Sequence, residues 1–177
     1  MRHIKLFEEY KNTAALEKWG WAFFKVIQDI AKDKQVIDYE NTLLGIDGAI
    51  DSQEMIDHKK GNAADRVRFI ARNEKKLAKL EKEFKSNSDI NTAPDAMKAK
   101  DAIAKVATLS GSWRSPMNLS NGFDTKSKES AAAIKAWDKA ASAGKKELAK
   151  AITTNMSGLE AAYGPGMGKS WSIEHGV

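Results

Sequence analysis

The sequence predicts an all-α protein, an irregular bundle of about five to six helices with a long structured loop near residues 110–127 and an extended C-terminal tail. Apolar residues recur every three or four positions along most of the chain, which is the period of one helical face. The Val, Ile and Thr alternation typical of strands is absent. Of the 177 residues 42% are hydrophobic, which is enough for one medium domain with a buried core.

The first strong helix is predicted over residues 13–32, after one or two helical turns within residues 3–10. Its apolar face has helical spacing and consists of Trp19, Phe23, Val26, Ile27 and Ile30. A second helix is expected over about 34–58. A break near Gly45–Gly48 is predicted, because each glycine costs up to about 1 kcal/mol relative to alanine within a helix.

The third helix, about 63–86, is the most regular, and Gly61-Asn62 before it is a turn signal. Its apolar stripe consists of Ile70, Leu77, Leu80 and Phe84. A loop then leads to a fourth helix, about 94–109, because Pro94 suits a first helical turn. The first predicted helix, over residues 13–32, is expected to form the centre of the core.

Residues 110–127 hold three turn signals together with large apolar side chains. Such a loop is expected to pack down or to dock onto a partner through Trp113, Met117 and Phe123. An alanine-rich helical region follows over about 126–162, with a break predicted at Gly144. The expected domains are a leader or docking segment (1–10), one helical domain (11–162) that admits a sub-boundary in the loop, and a glycine-rich tail (163–177).

No residue pattern in the chain indicates an enzyme, a cofactor or a metal site. Cysteine is absent, and the three histidines lie far apart, without the spacing of metal ligands. The segment Tyr163 to Ser170 approaches the phosphate-loop pattern, but Tyr163 stands where that pattern requires a glycine. The acidic residues between Asp47 and Asp57 lack the alternation of a calcium loop. The sequence therefore predicts a non-enzymatic protein. A helical enzyme with an unrecognised catalytic carboxylate site is the remaining alternative.

Neither membrane insertion nor secretion is predicted. The longest apolar cluster, Trp19 to Ile27, is interrupted by Gly20 and Lys25 and is too short to cross a bilayer. Charged residues near the N-terminus, including Lys5 and Glu8, occupy the region where a secretory signal requires an apolar run.

The basic residues are concentrated on the third predicted helix. Residues 59–86 contain ten Lys or Arg against four Asp or Glu, although the whole chain carries a net charge of only +5. Five cations at alternating four- and three-residue spacing fall within roughly 80° of helical arc: Arg68, Arg72, Lys75, Lys79 and Lys82. We call this set the basic stripe. It is a candidate site for DNA or for an acidic partner surface, and a solvated lysine-rich face is the plainer interpretation. The stripe itself holds no aromatic residue, so the predicted DNA contact is non-specific and to the backbone.

The first ten residues, M-R-H-I-K-L-F-E-E-Y, resemble the leaders of internal head and virion proteins of T4-like tailed bacteriophages. Such leaders begin with Met and a basic residue, followed by an aromatic and acidic cluster, here Phe7 to Tyr10. In that family the prohead protease cleaves after Leu or Ile, any residue, then Glu. Leu6-Phe7-Glu8 is similar to this pattern, so the resemblance implies a candidate cleavage site after Glu8. It covers about ten of the 177 residues.

The resulting hypothesis is a bacteriophage structural or virion-associated protein, located in the virion or in the cytoplasm of the infected bacterium. It would dock onto other virion or capsid proteins through Leu6 and Phe7 and through the apolar residues of the 110–127 loop. The basic stripe would contact DNA, and the oligomeric state is open. The alternatives are a small phage effector that binds a host protein and a helical protein that binds nucleic acid non-specifically.

Overall fold

The protein is all-α, as predicted. The computed structural model describes residues 2–46, 52–112 and 128–167, with side chains from Thr13 onward. These ranges contain six helices: α1 Arg2–Leu44, α2 Gln53–Ser86, α3 Ser88–Asn91, α4 Ala96–Ser112, α5 Lys128–Thr154 and α6 Met156–Tyr163. None of the described helices combines the length and the apolar character that a bilayer crossing would require.

The first helix is longer than predicted. α1 runs unbroken for 43 residues, through the expected leader and through the predicted end of the first helix at Lys32. Nothing between Lys32 and Leu44 interrupts it, because that stretch contains no glycine or proline. The break predicted near Gly45–Gly48 is confirmed at its start, where the Gly45 N–H donates to the carbonyls of Asn41 and Thr42.

The turn predicted at Gly61-Asn62 is wrong, because α2 continues through both residues. Ser52 caps its first turn, where the Ser52 Oγ accepts a hydrogen bond of 3.2 Å from the Met55 N–H. Asn62 is held by a tertiary contact, since its Nδ2 donates to Glu40 Oε1 on α1 at 2.9 Å. The helix-breaking tendency of two residues is outweighed by packing along the whole of α2.

The fourth helix extends beyond the predicted Leu109 to Ser112, so the first three residues of the expected 110–127 loop are helical. Ser110 and Gly111 are buried where α4 meets α1. Gln28 Nε2 donates to Ser110 Oγ there at 2.6 Å. The rest of the predicted loop, including Trp113, Met117 and Phe123, lies outside the described residues.

The break predicted at Gly144 is wrong, because Gly144 is a buried residue inside α5. The helix ends instead at Thr154, and α6 begins after Asn155. The Ala151 carbonyl accepts hydrogen bonds from both the backbone N–H of Asn155 at 3.0 Å and its side-chain Nδ2 at 2.7 Å, so Asn155 closes the last turn of α5. Gly164 ends α6 with φ of 88°, and residues 168–177 of the predicted tail lie outside the described residues.

The main core surrounds α1, as the spacing of its apolar residues predicts. α1 packs most extensively against α2 and α4, and α6 packs against α4. Trp19 stacks on Phe23 with ring centroids 4.5 Å apart and contacts Phe84 of α2 at 4.8 Å. α4 presents small and branched residues to this aromatic cluster, including the fully buried Ile103 and Val106. The core thus fixes α2 on one side of α1 and leaves the opposite face of α2 exposed.

Tyr163 at the end of α6 should make stability fall in alkaline solution. Burial, and to a lesser degree the charge of Glu17, raise the pKa of Tyr163. The unfolded tyrosine loses its proton above about pH 10 while the folded one keeps it, so the unfolded state gains relative stability as pH rises. Between pH 8 and pH 11 the free energy of unfolding of the wild type should therefore fall by up to about 1 kcal/mol more than that of Tyr163→Phe. Urea titrations at the two pH values measure both changes. Equal losses in both proteins would contradict this assignment.

Candidate nucleic-acid interface

The five residues of the basic stripe are all exposed on α2. Their exposure follows from the helix period, because the buried Phe84 and the partly buried Leu77 and Leu80 face α1. Arg68 forms an ion pair with Asp65 at 3.1 Å, but both side chains are more than half exposed. Such surface pairs contribute at most about 1 kcal/mol. Among the described residues, no ion pair involves the other four cations of the stripe.

Buried charges hold α2 against α1. Asp33 is 6% exposed and accepts a hydrogen bond of 2.8 Å from Arg66 Nη1. Glu40 is 3% exposed and contacts Lys59 Nζ at 3.1 Å. Removing one partner of such a pair costs about 3–5 kcal/mol where the charge is fully buried, and less where one partner reaches solvent as Arg66 does. These pairs therefore determine where the cations of α2 lie relative to α1.

A polar cleft of about 330 Å³ lies between α1 and α2, beside the basic stripe. It is lined from α1 by Asp29, Lys32 and Asp33, and from α2 by Arg66, Phe69, Arg72, Asn73 and Lys76. Four cations and two carboxylates give this lining a formal charge of +2. Arg72 belongs to both the stripe and the cleft, so the two form one continuous surface.

Sequence reasoning missed most of the residues of the cleft. The lining comes from two helices whose pairing is a tertiary property, so the spacing within α2 reveals only Arg72. Phe69 offered little local signal, because in the helical repeat it lies only about 20° from Leu80, at the edge of the apolar stripe of α2. The structure nevertheless leaves it 47% exposed. It adds an aromatic ring to a surface on which the sequence predicted none.

A second concavity, of about 420 Å³, is mostly apolar and involves α1, α2, α4 and α5. Its walls include Ile27, Ile30, Leu77 and Trp137. Trp137 also contacts the ring of Tyr39 edge-on at 5.8 Å. An apolar lining of this kind does not suit a phosphate group, which needs hydrogen-bond donors or cations.

The predicted docking residues stay predictions. Leu6 and Phe7 lie on the helical backbone of α1, and so does the candidate cleavage site after Glu8, but the side chains there are outside the described set. Trp113, Met117 and Phe123 lie in the undescribed range 113–127. Within the described residues, no three His, Asp or Glu side chains are grouped closely enough to hold a metal ion.

Comparison of the chain with family models, with curated proteins and with solved structures gives no match. The function is therefore inferred from the residues and their geometry.

Proposed function

We propose that the protein is a non-enzymatic, virion-associated protein of a tailed bacteriophage that contacts DNA through the basic stripe of α2. One observation carries the DNA contact: five exposed cations lie on one helical face, and of these five only Arg68 forms an ion pair with a described residue. Such a face neutralises backbone phosphates and gains free energy from the release of counterions. The phage setting and docking onto virion proteins are supported by the resemblance of the first ten residues alone.

Charge reversal tests the contact with DNA. We expect Arg72→Glu with Lys79→Glu to weaken binding to a labelled duplex at 50 mM salt by at least about tenfold, because two attractive contacts become repulsive. The slope of log K against log salt should fall by about two, close to one per lost phosphate contact. The measurement is fluorescence anisotropy over a salt series.

The matched control reverses two exposed lysines of α5, Lys135→Glu and Lys139→Glu. This control changes the net charge by the same amount but leaves the stripe intact. An equal loss of affinity in both double variants would show that only net charge matters, and unchanged binding in the stripe variant would remove the stripe from the interface.

Mass spectrometry of purified particles tests the phage setting. The proposal requires that the protein is present in the virion. A mass that matches a chain starting directly after Glu8 would support cleavage of the leader. Absence from the particle would overturn the structural role. A single stoichiometric host protein recovered from infected-cell lysate would then favour the effector alternative, with the stripe contacting an acidic protein surface.

A further inference from the structure

We propose that the cleft between α1 and α2 and its rim bind one nucleotide of a single-stranded nucleic acid, with the phosphate among the cations of the cleft and the base outside it, against the exposed side of Phe69. This inference rests on the proposed function and narrows its ligand, because the stripe alone does not distinguish a duplex from a single strand. The polar cleft supplies cations for the backbone, and the exposed Phe69 at its rim supplies an aromatic side chain for a base, which are the two components that single-strand binding requires.

The arrangement of residues on α2 joins the cleft to the stripe. Phe69, Arg72 and Lys76 follow one another at spacings of three and four, so they lie on successive turns on one side of the helix. Arg72 and Lys76 lie beside Phe69 on the wall of the cleft, and Arg72 also continues into the stripe. A strand whose backbone follows the stripe therefore passes the mouth of the cleft.

The charges of the cleft favour a phosphate. Arg66 neutralises Asp33, since Nη1 lies 2.8 Å from the carboxylate. The remaining charges are those of Lys32, Arg72 and Lys76 against Asp29, which leaves an excess of two cations for an anion.

The size of the cleft and the exposure of Phe69 favour a single nucleotide. About 330 Å³ lies at the lower end of the range for small-molecule sites. Phe69 is 47% exposed, which leaves part of its ring accessible for stacking. A base inside a duplex is already paired and stacked on its neighbours, so only an unpaired base reaches the ring without an unstacking cost.

The test compares a labelled dT12 strand with a duplex of the same length by fluorescence anisotropy at 50 mM salt. We expect Phe69→Ala to weaken binding of the single strand about tenfold, the usual effect of removing one stacked base. Duplex binding should change less than about twofold, because backbone contacts along the stripe remain. Phe69→Trp should restore single-strand binding, because it keeps an aromatic face.

Val67→Ala is the matched control, since Val67 is 56% exposed on the same helix but does not line the cleft. An excess of dTMP should compete for the cleft better than inorganic phosphate does, because only the nucleotide brings a base to Phe69. Equal losses for strand and duplex in Phe69→Ala, or no loss for the strand, would overturn the nucleotide site while the stripe still binds. Failure of the wild type to bind either nucleic acid would overturn the proposed function as well.

Discussion

Replacing Trp19 by alanine should lower the free energy of unfolding by about 3–5 kcal/mol, the usual cost of removing a buried tryptophan. Trp19 is 3% exposed and packs between Phe23 of α1 and Phe84 of α2. Its indole Nε1 also donates to the Leu80 carbonyl at 3.0 Å. The variant therefore loses packing at the α1–α2 contact and leaves a cavity there. Urea denaturation followed by circular dichroism measures the change.

Two other variants separate packing from the hydrogen bond. Trp19→Phe keeps most of the aromatic packing and should lose less than alanine does, with about 0.5–1.5 kcal/mol of its loss due to the missing hydrogen bond. Trp21→Ala removes a second tryptophan side chain, which is 40% exposed, and should lower the free energy of unfolding clearly less than Trp19→Ala does. A loss in Trp21→Ala as large as that in Trp19→Ala would contradict the placement of Trp19 at the centre of the core.

Gly111→Ala should destabilise the protein by about 2–3 kcal/mol, the range typical of overpacking. A Cβ atom at Gly111 would lie 2.3 Å from the Gln28 carbonyl oxygen and 2.8 Å from Ala31 Cβ. The first of these atoms belongs to the backbone of α1, so relief requires the two helices to move apart. The free energy of unfolding from urea titrations is again the readout.

Gly61→Ala is the control for helix propensity, because Gly61 lies inside α2 and a Cβ there meets nothing within 4 Å. It should stabilise the protein by up to about 1 kcal/mol, since alanine is the better helix former. The same Gly→Ala substitution is thus expected to lower the free energy of unfolding at Gly111 and to raise it at Gly61. A gain in stability at Gly111 would show that α1 and α4 are not in close contact at that point.

Local sequence patterns predict the helices well where one apolar face dominates. The spacing of Trp19, Phe23 and Ile30 correctly predicts which side of α1 is buried. Prediction fails at Gly61 and Gly144, because glycine is only a weak breaker where a long helix is held by packing along its length. The basic stripe is visible in the sequence because its cations share one helix.

The cleft is not visible in the sequence, since its walls come from two helices. Asp33 and Arg66 are separated by 33 positions, and no local pattern indicates that they meet. The same holds for Lys32 and Arg72, which line one cleft because of how α2 lies along α1. Phe69 can be assigned to the cleft only when the pairing of α1 with α2 is known.

The contacts between α1 and α2 also define a register. Trp19 and Asp33 lie 14 residues apart on α1, and their contacts at Leu80 and Arg66 lie 14 residues apart on α2. Asp33 and Glu40 lie seven residues apart, as do Arg66 and Lys59. The intervals are whole heptads, which is the spacing that keeps the contacting residues of two antiparallel helices on facing sides. A slip of one turn, about 5.4 Å, would separate both buried carboxylates from their cations at once. The ion pairs therefore exclude neighbouring alignments of the two helices and keep Lys32 and Arg72 on the walls of one cleft.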